Sequence, residues 1–149
     1  MTGRAGALLR GGLVLLTAIA AVQGAWMYLS PRSFYDNVPT VSASGPFSRH
    51  LMSDVGGLNL AIAAVLGCAA VWLERRLARV ALAAYLVYAV PHLLFHLTHL
   101  TGLSAGGTAF LVTGLSLLPA LSLALLLLTA WPGAGVRVWR TDPADPRQQ

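Results

Sequence analysis

Four apolar segments, each close to the length that crosses a membrane, constrain this chain more than any other feature of its sequence. They cover residues 8–29, 51–73, 80–100 and 108–131. A helix of about 20 apolar residues spans the roughly 30 Å hydrocarbon core of a bilayer. Only 10% of the residues are charged, whereas soluble domains carry about 25%. The sequence therefore predicts an all-α integral membrane protein, a four-helix bundle over residues 1–131 with a cytoplasmic tail at 132–149.

The first apolar segment has features of both a secretory signal and a membrane-spanning helix. Arg4 and Arg10 precede or open it, and the small residues at 18–20 fit a cleavage site. The segment continues past these residues to Trp26 and Tyr28, aromatic residues of the kind that anchor helices at the lipid headgroups. We therefore expect an uncleaved helix that spans the membrane.

The arginines are distributed unevenly between the two sides of the predicted bundle. The net charge is +5, and all ten basic residues are arginines dispersed among loops and termini, which argues against a nucleic-acid surface. Eight of them flank the segments on one side: Arg4, Arg10, Arg75, Arg76, Arg79, Arg137, Arg140 and Arg147. Only Arg32 and Arg49 follow the first segment on the other side. By the positive-inside rule, both termini are expected in the cytoplasm.

The connection at residues 30–50 is the only long one, and it lies on the side opposite the termini. Its three prolines and its serine and glycine content argue against a regular element. We interpret it as a candidate lid over the site described next. Its polar residues are expected either to form a local salt-bridge network or to close over that site; they are Arg32, Tyr35, Asp36 and Arg49.

Three of the four histidines lie in the third apolar segment, within VPHLLFHLTHL. Their spacing of four and then three residues places His92, His96 and His99 on one face of a helix. The same face continues inward to Tyr88 and Tyr85. Polar, titratable side chains inside a bilayer carry a cost that function or packing must offset. We expect this face to point into the bundle rather than toward lipid.

The second segment carries a matching stripe of mostly small residues, which let membrane helices approach each other closely. The stripe consists of His50, Asp54, Gly57, Ala61, Ala64 and the single cysteine, Cys68. At about 1.5 Å rise per residue, Asp54 lies about 6 Å and His96 about 4.5 Å below the outer boundary. This register predicts that Asp54 meets His96. It also predicts that Tyr88 faces Ala61 in an antiparallel helical hairpin. Asn59 is expected to donate an interhelical hydrogen bond.

Together the two stripes predict a cluster of polar residues near the outer surface. Its candidate metal ligands are His50, Asp54, His92, His96 and His99, and its candidate cofactor-binding residues are Tyr85 and Tyr88. Imidazoles one turn apart, with a histidine or carboxylate from a second helix, can hold a single Zn, Fe or Cu ion. A haem between facing helices and a quinone or lipid-headgroup pocket are further interpretations. A hydrogen-bonded packing network without any ligand also stays open.

At SPRSFYDNVP, HLMSDVGGLNLA and VPHLLFHLTHL the chain resembles a family of small four-helix bacterial membrane proteins that has no established activity. The resemblance covers about residues 24–100 and implies a multi-pass protein of the bacterial inner membrane. The chain is also distantly similar to the DoxX-type four-helix membrane proteins, some of which are associated with quinone-linked oxidoreductases. This second likeness is one of size and helix number, so it implies no functional residue.

Three classes of function follow from these features. The first is a membrane protein that binds a metal ion or small molecule at the predicted cluster, as an accessory subunit in redox or metal handling. The second is a membrane oxidoreductase that uses a metal or a quinone. The third is a structural bundle that acts as a scaffold for a partner membrane protein. The lipid bilayer is a partner in each case, a homo-oligomer is a further candidate, and no nucleic acid is expected.

Overall fold

A computed structural model of the protein describes residues 3–130, and this part of the chain is helical without any β-strand. Its helices are α1 (Arg4–Leu29), α2 (Pro31–Asn37), α3 (Arg49–Trp72), α4 (Arg75–Thr98) and α5 (Ala105–Leu128). A single 3₁₀ turn at Ser42–Ser44 lies between α2 and α3. The predicted all-α class is confirmed for these residues. The predicted tail at 132–149 lies outside them.

Four of the helices, α1, α3, α4 and α5, are long and apolar enough to cross a membrane. The shortest have 24 residues, which at about 1.5 Å per residue extend about 36 Å. Large apolar side chains are exposed along all four, among them Val22, Val71, Val87 and Leu117. Such side chains suit a lipid environment. The prediction is confirmed at this level: the chain has the helices of a multi-pass membrane protein.

Polar caps begin three of these helices before their apolar segments. Ser48 accepts a hydrogen bond from Leu51 N at 3.3 Å at the start of α3, and Ser104 accepts one from Gly107 N at 3.1 Å at the start of α5. Glu74 caps α4 in the same way. Such side chains satisfy amides that have no helical partner in the first turn. The caps and first turns are polar, so hydropathy alone places the starts of these helices too late. The apolar segments begin at residues 51, 80 and 108, whereas the helices begin at residues 49, 75 and 105.

The four long helices alternate in direction and close into a ring. α1 packs most extensively against α3, and α4 against α5, while the α3–α4 and α1–α5 contacts are smaller. One end of the bundle holds the start of α1 and the turn between α3 and α4. We call it the arginine end, after Arg4, Arg10, Arg75, Arg76 and Arg79. The opposite end, the loop end, holds residues 30–48 and the turn between α4 and α5. The antiparallel pairing predicted for α3 and α4 is confirmed.

Two glycines let α1 and α3 approach to backbone contact. A Cβ atom added to Gly56 would lie 2.7 Å from Tyr28 N, and one added to Gly24 would lie 2.9 Å from Gly56 O. Both distances are well inside the usual separation of non-bonded heavy atoms, so only glycine fits at these positions. This contact turns Gly56, Asn59 and Ala63 inward, and all three are buried.

The orientation of α3 differs from the prediction. Ala61, which was expected to face Tyr88, is exposed, and so is Ala64 of the same stripe. Asn59, rather than Ala61, contacts Tyr88. The prediction assumed that α3 presents its small-residue stripe to α4. In the structure the more extensive contact of α3 is with α1, and small residues occur on several faces of α3, so α1 determines its rotation.

Hydrogen bonds join α4 to α5. Arg79 Nε donates to Thr129 Oγ1 at 3.0 Å, and Arg79 Nη2 donates to Thr129 O at 3.2 Å. Ser122 Oγ donates to Leu82 O at 3.4 Å. Thr129 and Ser122 are fully buried. A guanidinium at the end of a helix also interacts favourably with the helix dipole, so Arg79 fixes the end of α5 beside α4.

The apolar core occupies the half of the bundle nearer the arginine end. Its fully buried leucines are Leu9, Leu13, Leu16, Leu66 and Leu82. Toward the middle of the helices the inward positions become polar, with Gln23 on α1, Asn59 on α3 and Tyr88 on α4. The change in polarity marks where a site can lie.

Residues 30–48 contain more regular structure than their proline content predicts. Pro31 is the first residue of α2, a position where proline fits because the amide that it lacks would have no helical partner. Phe34 packs edge to face on Trp26, with ring centroids 5.4 Å apart. The expectation that this connection lacks a regular element is therefore wrong for α2, which docks on the end of α1.

Polar and aromatic contacts hold this connection together. Arg32 Nε lies 2.8 Å from Asp36 Oδ2, and the Arg32 guanidinium lies 5.2 Å from the ring centroid of Phe47. The hydrogen bond and charge of Asp36 raise the pKa of Arg32, which stays protonated. The Tyr35 hydroxyl donates to Gly45 O at 2.7 Å. Arg32, Tyr35 and Asp36 therefore take part in a local network, one of the two arrangements predicted for the polar residues of this connection.

Candidate functional site

His50 and Asp54 lie one turn apart on the outward face of α3. His50 Nδ1 is 2.7 Å from Asp54 Oδ2, and the two side chains are 86% and 65% exposed. The predicted pairing of Asp54 with His96 is wrong, because the partner of Asp54 lies on its own helix. The contact with α1 rotates α3 so that its polar stripe faces outward near the loop end.

The three histidines of α4 form one pair and a separate third residue. His92 contacts His96, with ring centroids 4.7 Å apart and planes at 80°. His99 follows the last turn of α4 and is exposed. Its ring stacks on Phe95 at 4.2 Å, and its Nδ1 lies 2.8 Å from Phe95 O. His99 is thus engaged with the outer side of its own helix.

The five candidate metal ligands lie in three separate places, namely the pair His50 and Asp54, the pair His92 and His96, and His99. Among residues 3–130, no three His, Cys, Asp or Glu side chains are grouped so that they could hold one metal ion. The structure therefore does not assemble the predicted five-residue cluster. The connection that was predicted as its lid is held beside α5, where Thr40 packs next to Gly107.

A small cavity lies between all four long helices, near the middle of their length. Its polar lining residues are Gln23 of α1, Asn59 of α3, and Tyr85, Tyr88 and His92 of α4. Its volume is about 30 Å³, enough for about one water molecule or one polar group of a ligand. In the described part of the chain no Asp, Glu or Arg lines it. This uncharged polar cavity is the candidate functional site.

Asn59 connects the polar lining of α3 to that of α4. Its Nδ2 donates to Val55 O at 2.9 Å on its own helix and to the Tyr88 hydroxyl oxygen at 3.3 Å. Only 2% of Asn59 is exposed. The interhelical hydrogen bond predicted for Asn59 is confirmed.

The aromatic rings of α4 form a continuous row along the cavity. Tyr85 and Tyr88 meet edge to face with centroids 6.3 Å apart, and Tyr88 stacks on His92 with centroids 5.6 Å apart and planes at 13°. Tyr85 is buried, whereas Tyr88 and His92 are half-buried. The inward face shared by these three residues was correctly predicted. Their role in binding a cofactor stays a prediction.

The facing wall of the cavity comes from α5 and includes Leu115, Leu118 and Pro119. Pro119 is buried inside the helix. Proline has no N–H, so the carbonyl of Leu115, four residues earlier, has no helical hydrogen bond. In membrane proteins such freed carbonyls find partners among side chains and ordered waters. A backbone acceptor therefore lies at the wall of the cavity.

Sequence patterns did not assign Gln23, Asn59 and Pro119 to one site, although the two amides carry a signal. An amide side chain inside an apolar helix needs a hydrogen-bond partner, so its side of the helix is expected to face the bundle. That rule identifies the inward sides of α1 and α3. The histidine stripe gave a more conspicuous pattern, and it directed the prediction to the outward face of α3.

The cavity offers hydrogen-bond donors and acceptors without a fixed charge. The hydroxyls of Tyr85 and Tyr88 and the amide of Gln23 can each donate and accept. This composition suits a neutral polar group such as a hydroxyl or a carbonyl. The chain matches no model of a protein family, no curated protein and no solved structure.

Proposed function

We propose that this protein binds the oxygen-bearing headgroup of a lipid-soluble small molecule, of the quinone class, in the cavity between its four long helices. The observation that carries the proposal is the convergence of five polar side chains from α1, α3 and α4 on one cavity in an otherwise apolar bundle. Polar residues inside a membrane are candidates for function because their burial is costly. In this proposal the protein is an accessory subunit that holds the ligand for a redox partner.

Three properties of the cavity favour a quinone. No acidic residue or arginine lines it in the described chain, so it suits an uncharged molecule. The rings of Tyr88 and His92 are nearly parallel, and aromatic faces of this kind pack well against a planar ring. Tyrosine hydroxyls and an imidazole also supply hydrogen bonds for a headgroup oxygen. The distant similarity to DoxX-type proteins, some of them associated with quinone-linked oxidoreductases, agrees with this ligand class.

The cavity accommodates one oxygen of such a headgroup rather than its whole ring. Its volume of about 30 Å³ is far below the roughly 300–1,000 Å³ of pockets that enclose a whole small molecule. Leu115 and Leu118, half-buried in the α5 wall, are the side chains whose rotation widens the cavity. Binding is therefore expected to move these two leucines. Asn59 should stay fixed by its hydrogen bonds, and Tyr85 by its burial.

The orientation of the bundle is a further part of the proposal. Of the seven arginines within residues 3–130, five lie at the arginine end, and Arg32 and Arg49 lie at the loop end. The positive-inside rule then favours the arginine end as the cytoplasmic one. Both termini would be cytoplasmic, and the resemblance to small bacterial four-helix proteins favours the bacterial inner membrane.

Titration of the detergent-purified protein with ubiquinone-1, a short-tailed quinone, tests the proposal. We expect saturable binding of about one quinone per chain by calorimetry. His92→Leu should weaken binding at least about tenfold, because it removes a hydrogen-bonding group from the cavity. His50→Leu is the matched control, since His50 is 86% exposed on the outward face of α3, and it should leave the affinity unchanged.

Equal loss of affinity in the two variants, or no saturable binding by the wild type, would contradict the proposal. Circular dichroism and size-exclusion chromatography separate loss of the site from loss of the fold. Elemental mass spectrometry tests the competing metal hypothesis: a stoichiometric ion lost in His92→Leu and retained in His50→Leu would favour a metal held by His92 and His96. Neither ligand nor metal in the wild type would favour the scaffold hypothesis.

A further inference from the structure

The hydrogen bonds of Asn59 leave one acceptor free at the cavity. Both hydrogens of its Nδ2 are donated, one to Val55 O and one to the Tyr88 hydroxyl. The Val55 carbonyl can only accept, so it must face the amide nitrogen, and this fixes Oδ1 on the other side of the amide. Asn59 is 2% exposed and lines the cavity. Within residues 3–130 no group donates to Oδ1, so a donor must come from an occupant of the cavity.

A second acceptor lies across the cavity on α5. The N–H that would bond the Leu115 carbonyl is missing because residue 119 is proline. A helical carbonyl points toward the residue four positions later, which places the oxygen of Leu115 next to Pro119. Both residues line the cavity. Two walls of the cavity therefore present oxygen atoms that need a donor.

The tyrosines supply the matching donors. The Tyr88 oxygen accepts from Asn59, which leaves its hydroxyl hydrogen free. Tyr85 is 5% exposed, and no hydrogen bond joins its hydroxyl to another residue in the described chain. A group that satisfies the cavity must therefore both donate and accept, as a hydroxyl does.

We propose that the cavity selects the reduced, hydroxyl form of its ligand and binds a hydroquinone more tightly than the corresponding quinone. This inference rests on the proposed function. A hydroquinone O–H donates to Asn59 Oδ1 or to Leu115 O. Its oxygen accepts from the hydroxyl of Tyr85 or Tyr88. A quinone carbonyl only accepts, so it leaves both acceptors without a donor, and a buried polar atom left unpaired is penalised more than a formed hydrogen bond gains.

The expected preference is at least about tenfold in Kd, the effect of one unpaired buried group. Tighter binding of the reduced form raises the midpoint potential of the bound ligand above that of the free ligand. For a two-electron couple, a tenfold preference corresponds to about 30 mV.

The test compares the Kd of ubiquinone-1 with that of ubiquinol-1, both measured anaerobically by calorimetry. In wild type the quinone should bind at least about tenfold more weakly. Asn59→Leu removes one acceptor, and Pro119→Ala restores an N–H to the Leu115 carbonyl, the other acceptor. Each single variant still offers one acceptor to the hydroquinone O–H and should keep the preference, whereas the double variant should bring the ratio close to one. Ser122→Ala is the control on α5, since Ser122 donates to Leu82 O away from the cavity lining, and it should keep the wild-type ratio.

Each outcome decides between the two proposals. Equal affinity for both forms in wild type would overturn the selectivity and leave the proposed function intact. Absence of binding by either form would remove the proposed function itself. A hydroquinone preference that is unchanged in the Asn59→Leu, Pro119→Ala double variant would overturn the role of these acceptors. If the double variant does not fold, the wild-type ratio still decides the selectivity.

Discussion

Asn59 is the residue through which packing and the proposed binding site are connected. Its amide joins α3 to α4 at the hydroxyl of Tyr88, and the ring of Tyr88 stacks on His92. A change at Asn59 therefore affects both the helix contact and the polar lining of the cavity. Membrane helices use such amides because hydrocarbon offers them no other partner.

At this scale we predict a measurable energetic coupling between Asn59 and Tyr88. Asn59→Leu and Tyr88→Phe each remove one half of the 3.3 Å hydrogen bond. Interhelical hydrogen bonds in membrane proteins contribute about 0.6 kcal/mol on average and at most about 1.7 kcal/mol. A double-mutant cycle on the free energy of unfolding, measured by SDS titration in mixed micelles, should give a coupling in this range.

The control cycle combines Tyr88→Phe with Ser122→Ala. Ser122 donates to Leu82 O on another part of α4, so the two changes share no partner and their effects should add. If the effects of Asn59→Leu and Tyr88→Phe on the free energy of unfolding were also additive, the hydrogen bond between Asn59 and Tyr88 would make no contribution to stability.

At the scale of the element, the rotation of α3 shows what its sequence could not determine. Small residues occur on several of its faces, including Gly56, Gly57, Ala61 and Ala63. Spacing identifies which of these share a face, but it does not tell which face meets α1 and which meets lipid. The backbone contact at Gly56 depends on Gly24 of a different helix. The inward position of Asn59, which follows from its polarity, is the one local indicator of the correct face.

The adjacent glycines of α3 provide the sharpest test of this packing. A Cβ at Gly56 would lie 2.7 Å from Tyr28 N, whereas one at Gly57 meets no atom within 4 Å. We predict that Gly56→Ala lowers the free energy of unfolding by about 1–3 kcal/mol through overpacking. Gly57→Ala should be neutral or stabilise by up to about 1 kcal/mol, because alanine is the better helix former. Equal stability of the two variants in SDS titrations would mean that α1 and α3 are not in backbone contact.

The short turn between α3 and α4 contains a cap that is sensitive to acid. The Glu74 carboxylate accepts hydrogen bonds from Arg76 N at 2.9 Å and from Leu77 N at 2.7 Å, and these bonds lower its pKa. A carboxyl group whose pKa is lowered by folding stabilises the protein above the ordinary glutamate value, and this contribution is lost as the pH falls through the lowered value.

We therefore predict that wild type is more stable than Glu74→Gln at pH 7 and that this difference shrinks below about pH 4. The measurement is the free energy of unfolding of both proteins across this pH range. Comparing the two proteins cancels the titration of the other acids. A difference that stayed constant into strong acid would show that the ionised carboxylate contributes nothing as a cap.

For the whole molecule, hydropathy was sufficient to predict four helices that are long and apolar enough to span a membrane, since a helix that crosses a bilayer must cover it with apolar residues. The face shared by Tyr85, Tyr88 and His92 was also predictable, because it depends on spacing within one helix. The cavity could not be predicted from the sequence. It joins residues of four helices, and the relative rotations of these helices depend on contacts such as that of Gly24 with Gly56. The predicted metal cluster was not assembled for the same reason: it required a particular rotation of α3.

The last prediction concerns the orientation of the entire bundle. In a Cys68→Ser background, a cysteine is placed at Ala43 of the loop end or at Gly3 of the arginine end, both of which are exposed. A membrane-impermeant maleimide added to intact cells should label Ala43→Cys, and it should label Gly3→Cys only after the membrane is permeabilised. The reverse pattern would invert the proposed orientation. A Gly3→Cys protein that is never labelled would show instead that the first helix is removed as a signal peptide, which would take Gln23 and one wall of the cavity out of the mature protein.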